Sequence, residues 1–340
     1  MKFLIAGLGS IGRRHFRNLI ALGEKDVILL RSHRATLPDD ELAGYPVETD
    51  LTEALKKHKP EAVIVANPTS LHLDVAIPAA KAGCHILLEK PVSNSLARLD
   101  VLQQAAEKSG SRILVGFQFR YHPTLNKARE LIQSNALGKI ITVHAHWGEY
   151  LPQWHPWEDY RRSYAARADL GGGVIITLTH PLDYLRFILG DVESLWSFNG
   201  HSSPLEIDVE DVAEIGLKFS NGAVGSVHLN YVQRPPSHRL EIVGTQGALR
   251  WDNADGVLNF FKMPAEFGTW SDNPPATIVE QYKLPDGFER NQLFVAQTRH
   301  FVEVVRGESE PACNLQDGIQ ALRLALAAKE SQRSGRAVSF

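Results

Sequence analysis

Gly7, Gly9 and Gly12 stand in the spacing G-L-G-S-I-G, directly after the apolar run KFLIAG and at the head of a helical pattern. In that context the first glycine permits a tight turn. The second lets the backbone approach a diphosphate, and the third lets the helix lie close on the strand. The amides at the helix start, those of Ser10 and Ile11, then point at the phosphates. The chemistry implied is dinucleotide binding. Further along, HILLEKPVSN sets Lys90 just past a second apolar run, between Glu89 and Pro91. Parallel strands deliver their carboxyl ends to the ligand crevice, so an amine there faces the cofactor. It can donate a hydrogen bond to a reacting oxygen, and desolvation would lower its pKa towards acid–base work. Pro91 holds the following turn in a cis or otherwise restricted form.

The residue closing the second strand separates NAD from NADP. A carboxylate there binds the adenine ribose 2′-hydroxyl. This chain has Arg31, followed by Ser32, His33 and Arg34, and no acid at that place. Arginine pairs with a 2′-phosphate by charge-assisted hydrogen bonds, so Arg31, Ser32 and Arg34 point to NADP, with NAD as the alternative.

These residues need elements to position them. Over residues 1–120 the runs KFLIAG, DVILL, EAVIVA, HILLE and RILVGF read as strands buried on both faces. Helical patterns lie between them at Ile11–Leu22, Leu51–His58, Leu71–Ala82 and Asn94–Ser109. This alternation specifies a doubly wound parallel α/β sheet, the Rossmann arrangement, as a dinucleotide-binding domain. Over residues 121–340 the strands lengthen and alternate. In GAVGSVHLNYVQ, Val227, Leu229 and Tyr231 share one face, while Ser226, His228 and Asn230 share the other. Turns at SNG (220–222) and GTQG (244–247) support hairpins, and helices are expected at Val174–Leu189, Asn291–Arg306 and Asp317–Gln332. The second domain is therefore α+β on a large, mostly antiparallel sheet, for substrate binding and oligomerisation. A sheet face free of helices would join copies into a homodimer or homotetramer.

The 340 residues suggest two domains, and 44% apolar with 22% charged residues is an ordinary globular mix. A net charge of −3 argues against nucleic acid or anionic membrane as partner. Cys84 and Cys313 form no CxxC pair, which fits a reducing cytoplasm. The start FLIAGLG is too short for a signal peptide and runs into Arg13-Arg14-His15, so it reads as a strand. No apolar run approaches a membrane span.

Five stretches in order carry a family resemblance: G-L-G-S-I-G, A-N-P-T-S-L-H (66–72), E-K-P (89–91), G-F-Q-F-R-Y-H-P (116–123) and G-G-G-V-I-I-T-L-T-H-P-L-D (171–183). Over nearly the whole chain the sequence resembles the Gfo/Idh/MocA oxidoreductases, the family of glucose–fructose oxidoreductase and inositol dehydrogenase. The resemblance implies hydride transfer between a nicotinamide and a sugar or cyclitol carbon. It implies cofactor contacts from Asn67, Pro68, Thr69, His72, Glu89 and Lys90. Lys90 would reach the substrate hydroxyl, and His180 would exchange its proton. Asp183 follows on the same helix face. Many relatives carry an aspartate three or four residues before that histidine; here the place holds Thr177, which can hydrogen-bond but cannot act as a base. Lys90, His180, Asp183 and Thr177 are the catalytic candidates. Two alternatives stay open: a glycoside-cleaving enzyme that retains its NAD, and a non-catalytic dinucleotide or sugar sensor.

The stretch HAHWGEYLPQWHPWEDYRRSY holds three of the six tryptophans. Aromatic faces suit sugar rings and arginines suit a carboxylate or phosphate. Tyr160, Arg161, Arg162 and Tyr164 are thus substrate candidates beside Lys90, Thr177 and His180, with interdomain or intersubunit packing as the other reading. His144 and His146 share a strand face with Glu149 and His155 nearby, but no metal-ligand spacing is present and no metal is expected. Arg120 and Tyr121 read as hinge and interface residues. Pro235-Pro236 reads as a strand break or loop, and Pro274-Pro275 as a loop.

Overall fold

The computed structural model describes residues 1–31, 37–262 and 277–340, the side chains of 277–279 excepted. Ser32, Arg34 and Pro274-Pro275 lie outside the described residues. The chain divides into two compact units: residues 1–118, 162–172 and 289–323 in one, and 119–161, 173–288 and 324–340 in the other. The division is therefore not a single cut at residue 120. Two later segments return to the first unit.

The first unit opens with β1 (Lys2–Ala6), α1 (Ser10–Ala21), β2 (Asp26–Leu30), β3 (Val47–Glu48), α2 (Leu51–His58), β4 (Ala62–Val65), α3 (His72–Lys81), β5 (His85–Leu88), α4 (Leu99–Ser109) and β6 (Ile113–Val115). Its strands run parallel in the order β3-β2-β1-β4-β5-β6. The apolar runs explain the sheet. Phe3-Leu4-Ile5, Val63-Ile64-Val65 and Ile86-Leu87-Leu88 are wholly buried, each such side chain contributing about 1.5–3 kcal/mol.

The second unit contributes α5 (Pro123–Gln133), β7 (Ile140–Tyr150), α6 (Val174–Thr177), α7 (His180–Leu189), β8 (Val192–Gly200), β9 (Val212–Phe219), β10 (Val224–Asn230), β11 (Val232–Gly244), β12 (Gly247–Asp252), β13 (Val257–Lys262) and β14 (Thr277–Tyr282). Helices α8 (Asn291–Arg306) and α9 (Leu315–Ser334) and strand β15 (Val338–Ser339) follow. Among the described residues nine strands order as β14-β13-β12-β11-β7-β10-β9-β8-β15. All neighbours are antiparallel except β7 and β10. The expected alternation holds: Val227, Leu229 and Tyr231 are buried, as are Val143, Ala145 and Trp147 on β7.

Three local expectations differ from the structure. The helix expected from Asn94 starts at Leu99. Asn94–Arg98 instead forms bends and a turn ending with Arg98 at φ 66°. The helix expected over Val174–Leu189 breaks into α6 and α7 around Leu178-Thr179. Pro181 accounts for the break, since it lacks an N–H and its ring crowds the carbonyl four residues back. Pro235-Pro236 lies inside β11, at an irregularity where Val232 pairs with Tyr150 and Ser237 with Gly148. A bulge absorbs the missing donors without ending the strand. Among the described residues no helix is long and apolar enough to cross a membrane.

Candidate active site

The turn after β1 has the shape the glycines anticipated. Gly7 has φ 97°, and a Cβ on it would lie 2.6 Å from Ala66 O and Asn67 N in the turn after β4. A Cβ on Gly12 would lie 1.9 Å from Gly7 O, so α1 touches its own turn. Gly9 differs, because a Cβ there would meet nothing within 4 Å. It is the N-cap of α1, with no side-chain cap and no acid in the first turn. The first amides of α1 thus stay available beside open space, a cradle that fits a diphosphate. When bound, a dinucleotide would supply the hydride acceptor and donor, held by the turn amides and by Ser10 and Ile11.

Beyond β2 the structure adds a partner that the local sequence did not show. A carboxylate does reach Arg31: the guanidinium is largely buried and pairs with Asp39 at 2.9 Å. Asp39 is brought back by Arg13, a wholly buried α1 residue. Arg13 donates to Leu8 O and Leu37 O at 3.0 Å, to Pro38 O, and to Asp39 and Glu41 at 3.0 Å. Arg31 first, and then Arg13, holds the Asp39 carboxyl below its usual range.

Lys90 follows β5, and the Lys90–Pro91 bond is cis, as the restricted turn anticipated. Glu89 is buried, and its Oε1 lies 2.7 Å from His15 Nε2. The Lys90 N–H donates to Glu89 Oε2 at 3.3 Å. On the far side of the turn, His72 is buried with Nδ1 2.9 Å from Pro91 O and Nε2 3.0 Å from Asn67 O. Burial pushes the His72 pKa down, against the opposing pull of Glu89 and of these carbonyls. Asn67 Nδ2 donates to Leu71 O at 3.0 Å. Thr69 is buried and Pro68 half-buried at the start of the same segment. Asn67, His72 and Glu89, three of the cofactor candidates, also build the carboxyl-end turns.

In the second unit His180 begins α7, buried. Its ring stacks on Trp147 with centroids 5.3 Å apart and meets Phe119 edge-on at 5.1 Å. Trp147 stacks in turn on His238 at 4.2 Å, and Tyr184 Oη lies 3.1 Å from His238 Nε2. Trp147 is thus a core residue of β7, not part of an aromatic substrate loop. Thr177 Oγ1 donates to Gly173 O at 2.9 Å and makes a short contact with the buried Tyr231 hydroxyl. Asp183 is buried in a forked pair with Arg120, with Nε at 3.0 Å from Oδ2 and Nη2 at 2.7 Å from Oδ1. Arg120, expected at a hinge, lies one residue beyond Phe119, where the second unit begins. The fork fixes the start of α7, because two parallel bonds hold a carboxylate in one orientation.

The candidate substrate residues separate. Arg161 pairs with Asp159 at 2.8 Å and with Glu206 at 2.6 Å. Tyr160 Oη accepts from Glu206 N at 3.2 Å. Arg162 is exposed and makes no ion pair among the described residues. Tyr164 belongs to the first unit, and its phenol is pushed up to about 12 by burial, with Glu89 adding to the shift. His144 and His146 do share a face of β7, beside Ser226 and Gln233. Among the described residues no group of three or more His, Cys, Asp or Glu could hold a metal.

Sequence reading missed His15, Asp39, Tyr231 and the stacking role of Trp147. It also missed Glu210, whose backbone and carboxylate accept from Val174 N and Ile175 N at the start of α6.

A parallel sheet in the order 3-2-1-4-5-6, with an open glycine cradle after its first strand, defines a dinucleotide-binding oxidoreductase. The chain belongs to the Gfo/Idh/MocA family. Residues 1–117 match the oxidoreductase family NAD-binding Rossmann fold, and residues 125–250 match the GFO/IDH/MocA C-terminal domain. It is 27% identical over 352 residues to myo-inositol 2-dehydrogenase of Thermotoga maritima, covering 100% of this chain and 98% of that protein. It is 28% identical over 356 residues to scyllo-inositol 2-dehydrogenase (NAD(+)) of Bacillus subtilis, covering 99% and 95%. A levoglucosan dehydrogenase solved with NADH and levoglucosan shares the fold, with TM-score 0.83, 20% identity, and 100% and 99% of the two chains covered.

Proposed function

We propose that the protein moves a hydride between NAD and a hydroxyl-bearing carbon of a cyclitol or sugar, in either direction. The observation that carries this reading lies within the first unit. Lys90 sits at the carboxyl end of β5, two strands from β1 and its glycine cradle in the same parallel sheet. That separation is about 10 Å, within reach of a dinucleotide whose diphosphate rests on α1. Inositol and levoglucosan dehydrogenases among the relatives support the substrate class.

In this reading Lys90 donates a hydrogen bond to the reacting oxygen. His180 exchanges the hydroxyl proton, with its ring held by Trp147. Asp183 acts through Arg120 to fix the helix start. Thr177, tied to Tyr231, orients rather than ionises. Tyr160, Arg161, Arg162 and Tyr164 are the substrate-contact candidates. NAD is favoured over NADP because Arg31 is already paired with Asp39, and a 2′-phosphate would have to displace that acid.

The test is to titrate NADH and NADPH separately. Then myo-inositol, scyllo-inositol and simple sugars are screened for absorbance change with the tighter cofactor. Lys90→Ala should lower kcat/KM on the best substrate by about 10²–10⁴-fold while leaving the folded protein intact. Turnover near wild type in that variant would remove the lysine from the mechanism. Binding of neither dinucleotide would remove the enzyme.

A further inference from the structure

We infer that His15 is a positioning residue for the Lys90 amine, acting through Glu89, and that it links the diphosphate helix to the turn that carries the amine. This rests on the role given to Lys90 above.

Four observations within the first unit lead to it. First, Glu89 closes the ladder of β5: its N–H donates to Val65 O at 3.0 Å, and the next residue leaves the sheet. Second, its carboxylate is buried. It is 6% exposed and lies against Gly116, where even a Cβ would come within 3.1 Å of Cδ, Oε1 and Oε2. A carboxylate so placed needs a partner, since an unpaired buried charge is strongly destabilising. Third, the partner is His15, 74 residues earlier, fully buried on α1, with Nε2 2.7 Å from Oε1. An ionised carboxylate only accepts, so Nε2 carries the proton. The other ring nitrogen, Nδ1, is buried without a partner among the described residues, so Glu89 is the polar contact of this ring, which also meets Phe294 edge-on at 6.5 Å. Fourth, the same carboxylate uses Oε2 to accept the Lys90 N–H at 3.3 Å.

The consequence is geometric. Glu89 stands between a residue of α1 and the backbone of Lys90, while His72 holds Pro91 from the other side. The backbone that carries the amine is thereby held at Lys90 and at Pro91. His15 lies three positions beyond Gly12, on the helix whose N-terminus forms the cradle. A lysine stem is flexible, so its working position depends on how firmly its backbone is fixed. A displacement of about 1 Å can cost ~10²-fold in rate.

The test uses the full chain with ¹³Cε-labelled lysine, the Lys90 resonance being assigned by its loss in Lys90→Arg. In His15→Leu that resonance should shift towards the position of solvent-exposed lysines or split into more than one environment. kcat should fall about 10–100-fold. The NADH dissociation constant should change less than about 3-fold, because the cradle amides are untouched. His15→Gln, whose amide can donate to Glu89, should restore most of both signals. If His15→Leu does not fold, His15→Phe, which keeps a ring but cannot donate to Glu89, reads the same contact and should move the same resonance. A folded His15→Leu protein with an unaltered Lys90 resonance and unaltered kcat would overturn the inference. So would a Gln variant that behaves like Leu. Should Lys90→Ala itself retain turnover, the reading of the lysine fails. The resonance would still report whether His15 holds the turn.

Discussion

Two buried arginines do opposite work. Arg13, in the first unit, spreads its guanidinium over backbone carbonyls and over two acids that stay partly in water, Asp39 at 55% and Glu41 at 29% exposed. Arg120, in the second, forks onto Asp183, which is 1% exposed. An arginine facing solvated acids gathers a surface segment and leaves the charges there open to exchange with a ligand. One sealed against a buried acid cannot exchange without exposing a charge. Binding chemistry is expected beside the first arrangement, and fixed geometry beside the second.

The sharpest way to break that comparison is Arg120→Leu. It strands Asp183 without its fork and should cost about 3–5 kcal/mol in unfolding free energy, measured by urea or thermal melts. Leu at both 120 and 183 should recover most of the loss, because the penalty belongs to the orphaned charge and not to the missing attraction. A single variant as stable as the parent would mean that the fork is ornamental. Arg13→Leu should be milder, since Asp39 and Glu41 can turn to water.

The next test exploits the ring packing of the second unit. Burial pushes His122 down from 6.5 to about 4. The folded state therefore resists protonation while the unfolded chain accepts it. The contribution is whole above pH 6.5 and drains as pH falls through 6.5 towards 4. Wild type should lose about 2 kcal/mol between pH 7.5 and pH 5 from this group, and ~3 kcal/mol by pH 4. His122→Phe keeps a ring beside Phe119, Trp251 and Phe288 but cannot titrate. Its loss over the same window should be smaller by that amount. Parallel pH profiles for the two proteins would refute the assignment. The absolute offset from the lost Thr124 contact does not enter the comparison.

These pairs also show where sequence reading succeeds and where it stops. The glycine cradle and the turn at Lys90 were legible because each is built from neighbours in the chain: a strand end, a turn and a helix start. The resemblance to the Gfo/Idh/MocA family was legible for the same reason, its motifs being short and local. Arg120–Asp183 spans 63 residues and His15–Glu89 spans 74, and periodicity sees only one partner of such a contact. Trp147 illustrates a subtler failure. Its aromatic neighbours suggested a substrate surface, yet its place on the buried phase of β7 was already visible in the alternation with His144 and His146. The break at Thr179 was equally readable from Pro181. Arg31 marks the true limit, because its type and position were read correctly while the acid that neutralises it returns from eight residues on.

That last contact yields the smallest and most selective prediction. Arg31 directly follows β2, at the place that ordinarily meets the adenine ribose. With Asp39 at 2.9 Å its charge is satisfied, and a 2′-phosphate would also face the carboxylate directly. Asp39→Asn removes that repulsion and frees Arg31. Because Asp39 is exposed, the change should leave the melting temperature within about 2 °C. NADPH should bind about 10-fold tighter than in wild type, by one charge-assisted pairing gained. NADH should move less than about 3-fold, having no phosphate at the 2′ position to feel the change. The contrast is read by fluorescence titration of both dinucleotides on both proteins, at low and at high salt. The NADPH gain should shrink as salt rises, since an exposed pair is screened. Equal shifts for the two cofactors would mean that Asp39 shapes the cradle instead of guarding it. No shift for either would place the adenine ribose away from Arg31 altogether.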